Sequence, residues 1–121
     1  RAGRLLDEFR GRLEQHADDE EQFVLPRYEQ LGGDATDAPT KLFRGEHGKL
    51  REFAADFVLR VARLQQRPDD KDLLDLLDRQ ATFKNLMLHH DLRERNLLYP
   101  FLGARLPAAE QGEIVAALRW R

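Results

Sequence analysis

The chain has 121 residues, 41% of them hydrophobic and 35% charged, with a formal charge of −2. At this length it is expected to form one domain over residues 1–121 and to bury roughly two-thirds of its unfolded surface. There is no basic field for nucleic acid, no apolar run near the roughly 20 residues that span a membrane, and no signal-peptide pattern. Cysteine is absent, which rules out disulfides, thiolate zinc sites and cysteine-ligated iron–sulfur clusters within the chain and fits a cytoplasmic protein. Any metal must therefore be held by His and carboxylate.

The breaks "LGGDATDAP" at 31–39, "RPDD" at 67–70 and Pro107 divide the chain into helices expected over 3–30, 38–66, 69–103 and 107–119. The first carries an apolar stripe at spacings of three and four: Leu6, Phe9, Leu13, His16, Glu20, Phe23. Pro26 is expected to kink it or end it early. The second carries Phe43, His47, Leu50, Ala54, Phe57, Val61 and Leu64. The third, with Asp69 as its N-cap, carries Leu73, Leu76, Gln80, Phe83, Met87, His90, Glu94, Leu97 and Phe101. These elements predict an all-α, up-and-down helical bundle.

Three stripes thus hold His, and two also hold Glu. At 1.5 Å per residue, His47 lies about 28 Å from the end of its helix and His90 about 30 Å from the start of the next, so a short loop brings both to one level. His16 falls near that level as well. An unpaired carboxylate in a core costs several kcal/mol, so it is paired, protonated or bound to metal. A hydrogen-bonded His–Glu network without metal is the alternative. His89 falls off the third stripe and reads as a solvated residue. Glu21 reads as surface charge, Glu46 could hydrogen-bond nearby but has no ligand role, and the run "DDEE" at 18–21 reads as a solvated face. Tyr28 and Tyr99 are expected to pack near helix ends.

Imidazole and carboxylate without thiolate suit iron, manganese or zinc. The segments "HADDEEQFVLP" (16–26) and "HDLRERNLLYP" (90–100) each place His first, Glu fifth and Pro eleventh, and "RGEHGKLREF" between them holds a lone His. In this order the three segments resemble the hemerythrin-like, or HHE cation-binding, domains. The resemblance implies a four-helix bundle around a non-haem di-iron centre, oxo- or hydroxo-bridged, with manganese or zinc as substitutes. It implies His16, Glu20, His47, His90 and Glu94 as metal ligands, with Glu20 and Glu94 as bridges.

The family also has a His on a helix before the first HxxxE motif. No residue matches it, so the chain, which opens at "RAGRLLDEF" without Met, reads as N-terminally truncated and lacking the family's first helix. The last motif here is HxxxE rather than the HxxxxD of oxygen carriers. This resembles bacterial HHE proteins of stress response, iron-centre repair, or iron and oxygen sensing. Such a role implies O2, NO or peroxide as partner, a di-iron redox enzyme or a storage-carrier module being the alternatives; whether the chain is an enzyme is left open. The uncovered bundle face is expected to favour a homodimer. The segment "PAAEQGEIVAALRW" is expected to be too short to fill the gap with Ile114, Val115, Leu118 and Trp120.

Overall fold

A computed structural model of the chain describes residues 2–117, with side chains from residue 4, and the described residues contain helices and no strand. Helix α1 (Ala2–Asp19) runs through one π turn (Glu20–Val24) into α2 (Leu25–Gln30). A loop with a 3-10 turn (Gly33–Ala35) leads to α3 (Thr40–Gln66). Helix α4 (Asp70–Arg93) runs through a second π turn (Glu94–Leu98) into α5 (Tyr99–Arg105), and α6 (Ala108–Ala117) follows. Three long rods and one short helix therefore fall where the breaks placed them. Leu118 and Trp120 lie outside the described residues.

The loops have local causes. Gly32 ends α2 in the left-handed region at φ 96°, where glycine carries no steric cost. Gly33 lies under the Tyr28 ring, so close that a Cβ would sit 2.4 Å from the ring carbons. Asp34 Oδ1 accepts from the Thr40 backbone N–H at 2.7 Å and from its hydroxyl at 3.0 Å, tying off the first turn of α3. Asp69 caps α4 as expected, accepting from the N–H groups of Lys71 and Asp72 at 2.8 and 3.2 Å.

Pro26 and Pro100 neither end nor sharply break their rods. Each instead follows a π turn that begins on a glutamate. A proline offers no N–H and its ring crowds the carbonyl four residues back, so the α ladder cannot pass through it unchanged. The residue before each proline bonds one position further back, Leu25 N–H to Glu20 O and Tyr99 N–H to Glu94 O. The wider turn rotates the face downstream. Val24, Leu25 and Leu98 are therefore fully buried, whereas Leu97, expected in the stripe, is 44% exposed and Phe23 is only half-buried.

Both α1 and α4 pack on α3. Two apolar clusters form, one of Leu13, Leu50, Ala54, Phe57 and Phe83, the other of Val24, Leu25, Tyr28, Phe43, Leu98 and Leu102. The His and Glu positions lie between them along every rod. Helix α6 packs Ile114 against the second cluster, and Arg27 donates to Glu110 at 2.6 Å. Val115 stays 53% exposed. At the opposite end an apolar cleft of ≈ 410 Å³ lies between Leu6 and Phe9 of α1 and Leu76, Gln80, Phe83 and Lys84 of α4. The described part of the terminal segment thus closes one end of the molecule and leaves this cleft open.

The rotated face gives a test. Leu98→Ala should cost about 2–5 kcal/mol through the cavity it opens, and Leu97→Ala no more than about 0.5 kcal/mol, both read from denaturant unfolding. Equal costs would place the face where an unbroken α-helix puts it.

Candidate metal centre

The polar layer is built from three rods. His16 and Glu20 stand one turn apart on the first, His47 on α3, and His90 and Glu94 one turn apart on the third. The His47 and His90 rings meet edge-on, their centroids 4.8 Å apart, so the equal-depth expectation holds. Glu20, His47, His90 and Glu94 are all buried, and each offers one ligand atom within 4.8 Å of the others.

His16 joins from the open side, its side chain 25% exposed. Its Nε2 lies 3.2 Å from Glu20 Oε1 and 3.7 Å from Glu94 Oε1. All five residues singled out in the sequence thus come together.

Three Nε2 atoms point at two carboxylates. His47 Nε2 is 3.0 Å from Glu20 Oε1 and 3.8 Å from Glu94 Oε2. His90 Nε2 and Glu94 Oε2 lie 2.9 Å apart, yet neither atom has a hydrogen-bond partner. The two therefore meet as a buried ion pair without hydrogen-bond geometry, and a cation that took both atoms as ligands would satisfy them better. The donor set, imidazole nitrogen and carboxylate oxygen, is one that iron, manganese and zinc accept. The residues fit a metal.

The opposite edge of each buried ring is held by a carboxylate that the sequence reading set aside. His47 Nδ1 donates to Glu21 Oε2 at 2.7 Å, and Arg51 donates to the same oxygen at 3.2 Å. His90 Nδ1 donates to Glu46 Oε1 at 2.9 Å, while Arg93 Nε donates to Glu46 Oε2 at 2.9 Å. Each Arg–Glu–His relay fixes the proton on Nδ1 and aims Nε2 inward. Glu21 is therefore not mere surface charge. Nor is the 18–21 run as a whole a solvated face, since Asp19 and Glu20 are fully buried, and only Asp18, paired with Arg51 at 2.8 Å, stays exposed. A hydrogen bond by Glu46 is as expected, but its His90 partner and the role of Glu21 are not, because Glu21 and Glu46 lie one position away from a stripe residue. Each belongs to the site of a neighbouring rod.

Tyr99 also departs from expectation. Tyr28 packs as foreseen, edge-on to Phe43 and Phe101. The Tyr99 hydroxyl, by contrast, reaches across from the third rod and donates to Glu20 Oε2. Burial, together with the charge and hydrogen bond of Glu20, pushes its phenol well above the usual value, so it remains a donor. His89, as expected, is exposed.

Without metal, the layer is a set of ion pairs. Burial works against a charged His16 and His47, but the neighbouring carboxylates outweigh it, raising His16 to about 10 and His47 to about 9. His90 shifts upward against burial for the same reason, with Glu94 and Glu46 beside it. Burial likewise opposes the charge on Glu94, yet the three histidines hold it far below the ordinary carboxylate range. A metal entering here must displace protons from these imidazoles.

The model of the Hemerythrin family, described as the hemerythrin HHE cation binding domain, matches residues 1–115. No curated protein and no solved structure shows a significant match.

Glu21→Ala and Glu46→Ala should each weaken metal affinity by about 10–100-fold, the usual cost of losing a carboxylate behind a ligating imidazole. Glu52→Ala, on the exposed side of α3, should leave affinity unchanged. Competition titration against a chelator measures all three, and unchanged affinity in the first two would show that the relays do not orient the histidines.

Proposed function

This chain belongs to the hemerythrin HHE cation-binding domain family, and from that premise we propose that it binds non-haem iron and presents it to O2, NO or peroxide in sensing, stress protection or iron-centre repair. The observation that carries the proposal is the pair of buried imidazoles whose Nδ1 atoms are occupied by Glu21 and Glu46 while their Nε2 atoms face Glu20 and Glu94. When bound, iron supplies redox change and an affinity for small diatomic molecules or peroxide. Every other part of the work falls to the chain.

In this reading His16, His47 and His90 are the nitrogen ligands and Glu20 and Glu94 the oxygen ligands. A two-iron centre is supported by the position of the carboxylates. Glu20 Oε1 lies near both His16 and His47, and Glu94 lies within 3.8 Å of all three histidines. Tyr99 adds a condition, because its hydroxyl occupies Glu20 Oε2. Glu20 would then present Oε1 to a metal while Oε2 holds the Tyr99 proton.

The apolar clusters on either side of the layer exclude water along the rods. A shallow pocket lined by Asp91, Glu94, Arg95, Tyr99 and Pro100 opens the layer to solvent beside Glu94. It is the route by which a small molecule would enter. Tyr99 is also what favours the second reading, a di-iron redox enzyme, since it places a hydroxyl donor at the rim of the centre. Among the described residues no helix is long and apolar enough to cross a membrane.

Anaerobic titration with ferrous iron should show stoichiometric binding that tightens as pH rises, as metal replaces imidazole protons. His90→Ala should lose most of the iron and His89→Ala none. Binding that survives His90→Ala, or that His89→Ala abolishes, would place the metal elsewhere.

A further inference from the structure

Helix α4 has apolar residues on the side where an amphipathic helix is ordinarily polar. Its core side carries Phe83 and His90, both buried. On the opposite side Leu74, Leu77, Leu88 and Leu92 are 63%, 49%, 54% and 38% exposed. At 3.6 residues per turn these four and Ala81 fall within about 60° of one another, in a stripe about 27 Å long. None of the four packs against either apolar cluster, and none lines the cleft between α1 and α4. The stripe faces away from the rest of the chain. Exposed leucines grouped on one side of a helix fit an interaction surface.

We propose that this surface binds a second copy of the chain, the two α4 helices lying antiparallel about a twofold axis near residue 83. The spacing of the leucines is what identifies the partner. Leu74 and Leu92 stand nine residues to either side of residue 83, and Leu77 and Leu88 stand six and five. In an antiparallel pair Leu74 of one copy therefore meets Leu92 of the other, and Leu77 meets Leu88, each contact occurring twice. A twofold interface requires this self-complementarity.

Charge supports the same direction. Asp70 and Arg95 flank the stripe at opposite ends, 13 and 12 residues from residue 83. Both are exposed, and the charge of Arg95 otherwise acts on Asp91, one turn back on its own rod. Antiparallel pairing sets Asp70 beside Arg95 of the other copy, and Asp78 beside His89. Parallel pairing would set Asp70 against Asp70 and Arg95 against Arg95, which like-charge repulsion disfavours. The four leucines lie outside the metal layer and only Arg95 also lines the pocket beside Glu94, so association through the leucines does not depend on the function proposed above.

Sedimentation of the 121-residue chain should show a concentration-dependent monomer–dimer equilibrium at micromolar concentrations. Leu77→Glu combined with Leu88→Glu should raise the dimer dissociation constant by about a hundredfold or more, since unpaired charges would be buried in both copies. Helicity should be kept, because both side chains point to solvent in the monomer. The absence of cysteine gives an independent test of register. Leu74→Cys and Leu92→Cys should each stay uncrosslinked alone and form a disulfide-linked dimer when mixed. A chain that remains monomeric, a dimer that survives the double glutamate variant, or Leu74→Cys crosslinking to itself would each overturn the proposal.

Discussion

Two buried carboxylates, Glu20 and Glu94, set the terms for the rest of the molecule. Each ligand-bearing atom of the cluster lies within 4.8 Å of the others, so two like charges share one small volume with little solvent. A single ion in such a place costs several kcal/mol, even after the protein relaxes around it. The chain answers with three imidazoles, one from each rod, and with two arginines placed behind the next carboxylates out. In the metal-free molecule those imidazoles carry protons well above their usual range. A divalent cation can take over the same compensation from the centre, which links metal binding to the proton inventory of the core.

Holding this layer requires a particular helix geometry. In an unbroken α-helix, residues four apart drift around the axis with each step, so His16, Glu20, Val24 and Tyr28 would not keep one face. The π turn from Glu20 to Val24 removes that drift, and the turn from Glu94 to Leu98 does the same for His90, Glu94, Leu98 and Leu102. The proline of each segment is part of this device. It denies the ladder its usual hydrogen bond and leaves the preceding residue to reach the glutamate carbonyl. The repeated order of His, Glu and Pro therefore encodes a backbone feature as well as a donor set.

The rods, their ends and the five converging donors were legible because each rests on a local rule. Glycine with left-handed backbone, an aspartate N-cap and spacings of three and four all act within a few residues. Equal depth of His47 and His90 followed from helix rise alone. What escaped the sequence acts between rods. Glu21 and Glu46 flank stripe residues on their own helices, and only the packing of neighbouring rods carries them to His47 and His90. Tyr99 reaches Glu20 because the π turn and the crossing of two rods bring it there. The phase shift at Leu97 and Leu98 was missed by reading one helical period through a residue that interrupts it. The spacing of four in each segment, sustained past the glutamate, was the available signal.

On the proposed function, His16, His47 and His90 would face a metal through Nε2 while Nδ1 keeps its proton, held by carboxylates in the two buried cases. The chain contains four histidines, which makes nitrogen-detected NMR of the ring atoms direct. On titration with diamagnetic zinc, the Nε2 signals of those three should move to the metal-bound range, their Nδ1 atoms should stay protonated, and His89 should not respond. Coordination through Nδ1, or a zinc response confined to His89, would rule out a metal held by these three Nε2 atoms.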